Sequence, residues 1–289
     1  MRADGGLALS QNAVPQTRTP LRFEPISGAL GAEVTGVDLS LPLSPAEFEA
    51  LHDGWMEHQV LFFREQPIGV EQHKQFGRRF GELHVHPVLQ QRAAEGHPEI
   101  VVLESDADRR FVAERWHSDV TFQSRPPLGS ILRAVKVPDA GGDTQWSSMY
   151  AAYEALSDTL QRLLSDLRAL HHGGGFRYIA REDQKADLES DVSAVHPVIR
   201  THPVTGRKGI FVNSTFTKEI VGMKPQESRS LLGFLYAHVA RPEFTCRFRW
   251  RNDSIAMWDN RCTQHSVVPD NLVEHRRMER VTIIGDAPR

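Results

Sequence analysis

Short apolar runs separated by turn residues dominate this chain and constrain its fold more than any other feature. In residues 244–250, aromatic residues and a cysteine alternate with threonine and arginine, the period of two that predicts a strand with one buried face. Residues 60–63 predict a fully buried strand, and residues 100–103, 255–258 and 281–284 predict further strands. Because the sequence has neither a βαβ rhythm nor a glycine-rich nucleotide loop, it predicts a β-rich α+β protein, either a sandwich or an open barrel.

Helices are predicted to flank these strands. A helix begins after Ser44, because serine is an N-cap residue, proline follows at the first helical position and glutamate stands three residues after the cap. Residues 70–80, the segment after Ser157 and residues 227–239 predict further core-packed helices. The leucines expected to face the core after Ser157 are Leu160, Leu163, Leu164 and Leu167. Residues 173–195 are glycine-rich and then charged, which predicts a surface loop and a candidate lid.

Composition excludes several classes of function. The 289 residues, 40% of them apolar, suffice for one large domain or two small ones. A net charge of −3 offers no electrostatic footprint for nucleic acid or an anionic membrane surface. No run approaches the roughly 20 apolar residues of a membrane helix, and residues 1–20 lack the apolar core of a secretory signal, so we predict a flexible tail there. Two cysteines are too few for a disulfide scaffold, which predicts a cytoplasmic protein.

Histidine is abundant, with 14 residues, and imidazole is both a metal ligand and a base near neutral pH. Seven of these histidines stand alone in polar or helical stretches, where a partly exposed surface residue is the simpler interpretation: His52, His58, His73, His84, His97, His238 and His275. His117 and Asp119 differ, because residues two apart on an extended backbone point to the same side and can bind one ion. A buried His–Asp hydrogen bond is the alternative for this pair.

His265 is the candidate third ligand. It follows the apolar strand of residues 255–258, far along the chain from His117 but within reach of it in a folded β-barrel. Two histidines and one carboxylate leave three octahedral positions open, the arrangement that non-haem Fe(II) oxygenases use for cosubstrate and O₂. Zinc is the rival metal, since hydrolases use the same ligand set.

Arginines cluster just beyond His265. Arg276 and Arg280 are four residues apart and so share one face of a strand, where their guanidinium groups suit a dianionic organic acid or an anionic substrate. Solvated surface arginines are the alternative interpretation. Three arginines within five residues that lead into an apolar strand are, however, costly to bury without anionic partners.

With these residues, the sequence resembles the taurine dioxygenase family of Fe(II)- and 2-oxoglutarate-dependent oxygenases. The resemblance extends from about Pro25 to Asp286 and keeps its motifs in order. The segments that carry it are residues 31–39, 80–87, 116–122, 141–144, 211–213, 258–265 and 285–286. It implies a double-stranded β-helix, or jelly roll, with flanking helices, and a single domain over residues 21–289.

The resemblance also implies a role for each matching residue. Fe(II) would be held by His117, Asp119 and His265, and the distal carboxylate of 2-oxoglutarate by Arg276 and Thr144. The substrate contacts that it implies are His86, the Val120 backbone N–H, Phe216 and Arg280. The reaction is oxidative decarboxylation of 2-oxoglutarate with O₂, coupled to hydroxylation of a small organic anion, foremost a sulfonate that then releases sulfite and an aldehyde.

Two positions depart from the family's taurine-type pocket. Leu89 and Ala113 stand where the taurine enzyme has a tyrosine and an asparagine near the substrate amine, and neither side chain forms hydrogen bonds. We therefore expect an anion with a bulkier or non-amino tail. An aryloxyalkanoate or an alkyl sulfate is the alternative substrate, and a zinc hydrolase or a non-catalytic binding jelly roll is the alternative function. Because members of the family often associate, we expect a homo-oligomer, a dimer or tetramer.

Overall fold

The computed structural model describes residues 20–86, 89–108, 113–174, 193–271 and 273–289. Within them the strands are β1 (Arg22–Pro25), β2 (Ala32–Thr35), β3 (Val60–Phe63), β4 (Ala93–Ala94), β5 (His97–Ser105), β6 (Gly129–Lys136), β7 (Thr144–Ser148), β8 (Arg168–His172), β9 (Ser193–Pro197), β10 (Ile199–Thr201), β11 (Lys208–Ile210), β12 (Thr217–Ile220), β13 (Thr245–Phe248), β14 (Ile255–Asp259), β15 (Thr263–Val267) and β16 (Arg276–Ile283). The helices are α1 (Pro45–His58), α2 (Val70–Arg78), α3 (Met149–Glu154), α4 (Asp158–Ser165) and α5 (Pro225–Val239), with short 3₁₀ helices at Gln90–Arg92 and Pro242–Phe244. The protein is thus β-rich α+β, as predicted.

The strands form one large sheet and several small ones. The large sheet has eight strands in the order β1-β2-β3-β14-β6-β16-β5-β4. Its β2–β3 pair is parallel and its other pairs are antiparallel. A three-stranded antiparallel sheet has the order β13-β7-β15, and smaller sheets join β12-β8-β9 and β10-β11.

The central strands of the large sheet are buried on both faces. In β14, Ile255 and Met257 pack on the side of α1 and α2, whereas Ala256 and Trp258 pack towards the β13-β7-β15 sheet. Phe62 of β3 also packs towards the β13-β7-β15 sheet, since its ring stacks on Phe248 of β13 with centroids 4.2 Å apart. The large sheet is therefore the middle layer, with α1 and α2 on one face and the β13-β7-β15 sheet on the other. Residues of both sheets face the space between them.

Helix α1 begins where the sequence predicts. The Ser44 hydroxyl accepts a hydrogen bond from the Glu47 N–H at 3.2 Å, and the Glu47 carboxylate accepts one from the Ser44 N–H at 2.7 Å. This reciprocal pair satisfies two N–H groups that a helix N-terminus otherwise leaves without partners. Leu51 and Trp55 then face the large sheet, both buried.

Several predictions need correction. Leu163 of α4 is 51% exposed, because the contact face of this short helix is carried by Leu160 and Leu164. The predicted loop 173–195 ends in strand β9, and its residues 175–192 lie outside the described residues, as does nearly all of the predicted tail 1–20. The predicted strand 244–250 is shorter at both ends, since Phe244 belongs to a 3₁₀ helix.

Two histidines interpreted as surface residues are buried. His73 of α2 is fully buried and donates from Nε2 to the Ile131 carbonyl at 3.1 Å, and His238 of α5 donates to the Ala152 carbonyl at 2.8 Å. The surface interpretation was wrong for both, because each ring donates to a backbone carbonyl inside the protein. In the part of the chain that the structure describes, no helix has the length and apolar character needed to cross a membrane.

Candidate functional site

The predicted triad of His117, Asp119 and His265 comes together between the two sheets. His265 lies on β15, and reciprocal backbone hydrogen bonds of 3.1 and 2.8 Å pair it with His117. Asp119 begins a turn directly after this bridge, so the turn, rather than a continuous strand, brings its carboxylate beside the imidazoles. The candidate ligand atoms lie within 4.8 Å of one another, and all three residues are buried.

Both imidazoles are neutral. The His117 Nδ1–H donates to the Arg115 carbonyl at 2.7 Å, which leaves the Nε2 lone pair available to a ligand. Burial lowers the pKa of His117, and burial together with the neighbouring His117 ring lowers the pKa of His265 further. The rings of His117 and His265 are 4.2 Å apart, and the Trp258 ring lies 4.8 Å from His265.

Asp119 is ionised although it is buried. Burial favours the neutral acid, but the Arg280 guanidinium and the Ser130 hydroxyl outweigh burial and hold the pKa of Asp119 well below its usual range. Ser130 Oγ donates to Oδ2 at 2.8 Å, and Arg280 Nη1 donates to Oδ1 at 2.7 Å. Oδ1 is also the oxygen that faces His265, at 4.0 Å from its Nε2.

Arg276 lies in the same cavity with unused hydrogen-bond donors. Its side chain is 9% exposed, and its Nε and Nη2 atoms have no hydrogen-bond partner among the described residues. Burial lowers the pKa of Arg276 to about 10. Thr144 of β7 also lines the cavity, and its oxygen accepts a hydrogen bond from Trp250 Nε1 at 2.9 Å, so its own hydroxyl proton is left to donate. This pair fits a carboxylate.

The predicted substrate contacts line the same cavity. His86 Nδ1 accepts from the Leu89 N–H at 3.1 Å, so the proton of this ring is on Nε2, and burial beside Arg280 lowers the pKa of His86 to about 3. Val120 has a φ of +51°, which is strained for a β-branched residue and is typical of functional sites. Phe216 packs against Phe122, with ring centroids 5.3 Å apart.

One cavity of about 290 Å³ contains all nine predicted site residues. Its remaining wall is mostly apolar, formed by Leu89, Leu103, Ala113, Leu132 and Val267. Leu89 and Ala113, the two departures from the taurine-type pocket, therefore do face the cavity. Its buried cationic groups are Arg276 and Arg280 on β16, whose shared face turns towards the β13-β7-β15 sheet as their spacing predicts, and the exposed Arg115 also lines it.

Sequence reasoning missed the polar residues behind Asp119. Ser130 and Asn260 are both buried and are hydrogen-bonded to Asp119 and to each other. The available signal was Ser130 itself, a polar residue directly before the apolar Ile131 and Leu132 of β6. It predicts a polar contact but does not identify the partner.

A second cluster, formed by His202, Asp259 and Cys262, has ligand-type atoms equally close together. The Asp259 carboxylate already accepts hydrogen bonds from Arg261 at 2.6 and 2.9 Å and from His202 at 3.0 Å. Arg261 supplies the positive charge that a metal ion would bring. The cluster is therefore a satisfied buried ion-pair network.

The chain is similar in sequence and in fold to known proteins. The family model of the taurine catabolism dioxygenase TauD, TfdA family matches residues 22–282. The chain is 36% identical to an alkylsulfatase of Acinetobacter baylyi, covering 92% of this chain and 86% of that protein. It is 35% identical to an alpha-ketoglutarate-dependent sulfate ester dioxygenase of Pseudomonas putida, covering 93% and 91%. The crystal structure of a taurine dioxygenase from Burkholderia xenovorans superposes with a TM-score of 0.81 at 38% identity, covering 93% of this chain and 90% of that one.

Proposed function

We propose that this chain, which belongs to the taurine catabolism dioxygenase TauD, TfdA family and is an alpha-ketoglutarate-dependent dioxygenase, uses Fe(II) to hydroxylate a small organic sulfonate. The observation that carries the proposal is the buried triad of two neutral imidazoles and one carboxylate beside Arg276, a guanidinium with unused donors. A metal centre and an anion site then share one cavity.

The donor set of His117, Asp119 and His265 fits Fe(II), because two imidazoles and one carboxylate on one side leave the remaining positions open. When bound, Fe(II) with 2-oxoglutarate supplies the activation of O₂ and the oxidative decarboxylation that yields succinate and CO₂. The protein keeps both rings neutral and the carboxylate ionised at neutral pH, so no proton has to leave before the metal binds.

Arg276 and Thr144 hold the distal carboxylate of 2-oxoglutarate. The Nε and Nη2 donors of Arg276 form a fork that matches the two oxygens of a carboxylate, and the Thr144 hydroxyl adds a third donor. An anion bound there also supplies the counter-charge that buried Arg276 lacks among the described residues. This match is the reason to favour a dicarboxylate over a neutral cosubstrate.

The substrate's anionic head binds between His86, the Val120 N–H and Arg280. All three lie around the same cavity, and the proton on His86 Nε2 makes this ring a donor. Arg280 donates to Asp119 from Nη1. Its Nε has no hydrogen-bond partner in the described part of the chain, so this guanidinium retains a donor for an anion. Phe216 and the apolar wall then exclude water from the carbon to be hydroxylated.

An alkyl sulfate is the second candidate substrate. Two of the similar proteins are named an alkylsulfatase and a sulfate ester dioxygenase, and the leucines and Ala113 of the cavity suit an uncharged tail. Hydroxylation of the carbon next to sulfur or to the ester oxygen produces an adduct that breaks down to an aldehyde. The other product is sulfite from a sulfonate and sulfate from an alkyl sulfate.

The decisive experiment is turnover under air with Fe(II), ascorbate and 2-oxoglutarate on a panel of sulfonates, alkyl sulfates and aryloxyalkanoates. We expect succinate in proportion to sulfite, with none formed by His117→Ala. Sulfate release would favour the second candidate and phenol release the aryloxyalkanoate class. Substrate cleavage that needs neither O₂ nor 2-oxoglutarate would contradict the proposal.

For the molecule as a whole, we infer that residues 21–289 form a single jelly-roll domain, with the large sheet and the β13-β7-β15 sheet as its two halves. A cytoplasmic location and a homo-oligomer, a dimer or tetramer, complete the proposal. Light scattering during size-exclusion chromatography measures the oligomeric state directly, and a monomer would contradict this part.

A further inference from the structure

Asn260 occupies a central position behind the metal centre. It lies in the turn between β14 and β15, five residues before His265, and is 2% exposed. Its Oδ1 atom accepts hydrogen bonds from the Asp119 N–H at 3.2 Å and from Trp258 Nε1 at 3.0 Å. One side chain thus joins the segment that carries Asp119 to the turn that leads to His265.

The amide nitrogen of Asn260 continues the connection to Ser130. Asn260 Nδ2 donates to Ser130 Oγ at 3.1 Å, and Ser130 Oγ lies 2.8 Å from Asp119 Oδ2. A hydroxyl has one proton, and an ionised carboxylate only accepts. The direction is therefore fixed: Asn260 donates to Ser130, and Ser130 donates to Asp119.

We propose that Asn260 and Ser130 are positioning residues that hold Asp119 in the orientation for metal binding. Oδ2 accepts from Ser130, and Oδ1, which also accepts from Arg280 Nη1 at 2.7 Å, is the oxygen that faces His265. The amide of Asn260 fixes both the backbone of Asp119 and the Ser130 hydroxyl. The carboxylate therefore cannot rotate without breaking its bond to Ser130 as well as its bond to Arg280. The inference rests on the proposed role of Asp119 as a metal ligand.

The chain offers a matched control for Ser130. Ser147 of β7 is equally buried, and its hydroxyl donates to the Val239 carbonyl at 2.6 Å, on the strand face opposite to Thr144 and the cavity. Replacing either serine by alanine removes one buried oxygen and the hydrogen bond that its hydroxyl donates, and Ser130→Ala also removes the bond that Ser130 accepts from Asn260. Only Ser130→Ala removes a bond to Asp119.

The test is titration of the metal-free protein with Mn²⁺ by calorimetry under argon, with the melting temperature recorded for each variant. Since partners that orient a metal ligand typically contribute 10- to 100-fold to metal affinity, we expect Ser130→Ala to weaken Mn²⁺ binding by about that factor. Ser147→Ala should bind Mn²⁺ within about twofold of the parent protein, because its bond does not reach the ligands. Both variants should have a lower melting temperature, Ser130→Ala the more so, because it also leaves the buried Asn260 amide without its acceptor.

Asn260→Ala tests the second half of the connection. It should weaken Mn²⁺ binding in the same direction, and the Ser130→Ala/Asn260→Ala double variant should lose less than the product of the single losses, because both act through one carboxylate. If Asn260→Ala does not fold, the comparison of Ser130→Ala with Ser147→Ala still decides. Equal Mn²⁺ affinities in those two variants would overturn the inference. Unchanged Mn²⁺ binding in His117→Ala would instead overturn the metal centre itself.

Discussion

A substitution at Arg276 separates cosubstrate binding from metal binding. It shares the cavity with the triad, but no ion pair or hydrogen bond joins its side chain to the ligands among the described residues. We expect Arg276→Gln to weaken 2-oxoglutarate binding by about 10- to 100-fold, the value of one or two charge-assisted hydrogen bonds. Mn²⁺ affinity should be unchanged. Calorimetric titration of the Mn²⁺-loaded protein with 2-oxoglutarate measures the first and metal titration the second.

The neighbouring Arg277 is the control for this change. It lies next to Arg276 on β16 but pairs with Glu104 and Glu279, at 3.7 and 3.3 Å, and does not line the cavity. Arg277→Gln should therefore leave 2-oxoglutarate affinity unaltered. An equal loss in both variants would mean that the general charge of β16, and not the Arg276 fork, attracts the cosubstrate.

Residue spacing explains which parts of the site the sequence predicts. The spacing of two between His117 and Asp119 and of four between Arg276 and Arg280 are local patterns, and both pairs lie in the cavity as expected. Asn260, in contrast, is 130 residues from Ser130 and 141 residues from Asp119. No local period links such positions, so hydrogen bonds across the sheets emerge only from the tertiary structure.

At the scale of elements, the end of β16 depends on a glycine. A Cβ atom at Gly285 would lie 2.1 Å from the Pro126 carbonyl oxygen and 2.6 Å from the Leu128 nitrogen, both backbone atoms that cannot rotate away. The same two chain segments are joined by a hydrogen bond from the Leu128 N–H to the Ile283 carbonyl at 3.0 Å. We expect Gly285→Ala to reduce the free energy of unfolding by about 1–3 kcal/mol, measured by urea denaturation.

Gly233 makes the opposite prediction. It is an exposed glycine inside α5, and a Cβ atom there would meet nothing within 4 Å. Because alanine is a better helix former, Gly233→Ala should raise the free energy of unfolding by about 0.5–1 kcal/mol in the same assay. Destabilisation by Gly233→Ala would show that α5 makes contacts with another copy of the chain or with residues outside the described ranges.

Elements set by local chemistry are the ones that the sequence predicts well. The capping pair of Ser44 and Glu47 fixes the start of α1 within four residues, and the apolar run of β3 is long enough to identify a buried strand. The order of strands in the large sheet could not be predicted in this way. Strand β14 lies between β3 and β6, although it follows both of them by more than a hundred residues along the chain. That order depends on which apolar strand faces pack together in the folded protein, and the sequence of one segment does not contain this information.

At the scale of the whole molecule, charge is distributed unevenly. The chain carries a net charge of −3, yet Arg276 and Arg280 face one cavity in which Asp119 is the buried acid. The overall charge therefore says nothing about the ligand, because a small anion responds to the cavity that encloses it. The net charge of the chain gave no indication of these two buried arginines.

Buried histidines predict how the stability of the whole molecule depends on pH. Burial lowers the pKa of His73, His86 and His171 to about 3, whereas histidine in an unfolded chain titrates near pH 6.5. Below pH 6.5 the unfolded chain binds protons that the folded chain does not, so stability falls as the pH drops from 6.5 towards 3. At pH 5 each of these histidines costs about 2 kcal/mol relative to pH 7, a large fraction of a domain's stability. Urea denaturation of the metal-free protein at pH 7 and pH 5 should show this loss, and His73→Gln, whose amide still donates to the Ile131 carbonyl, should reduce it by about 2 kcal/mol. Equal denaturation midpoints at the two pH values would mean that these rings gain protons without unfolding.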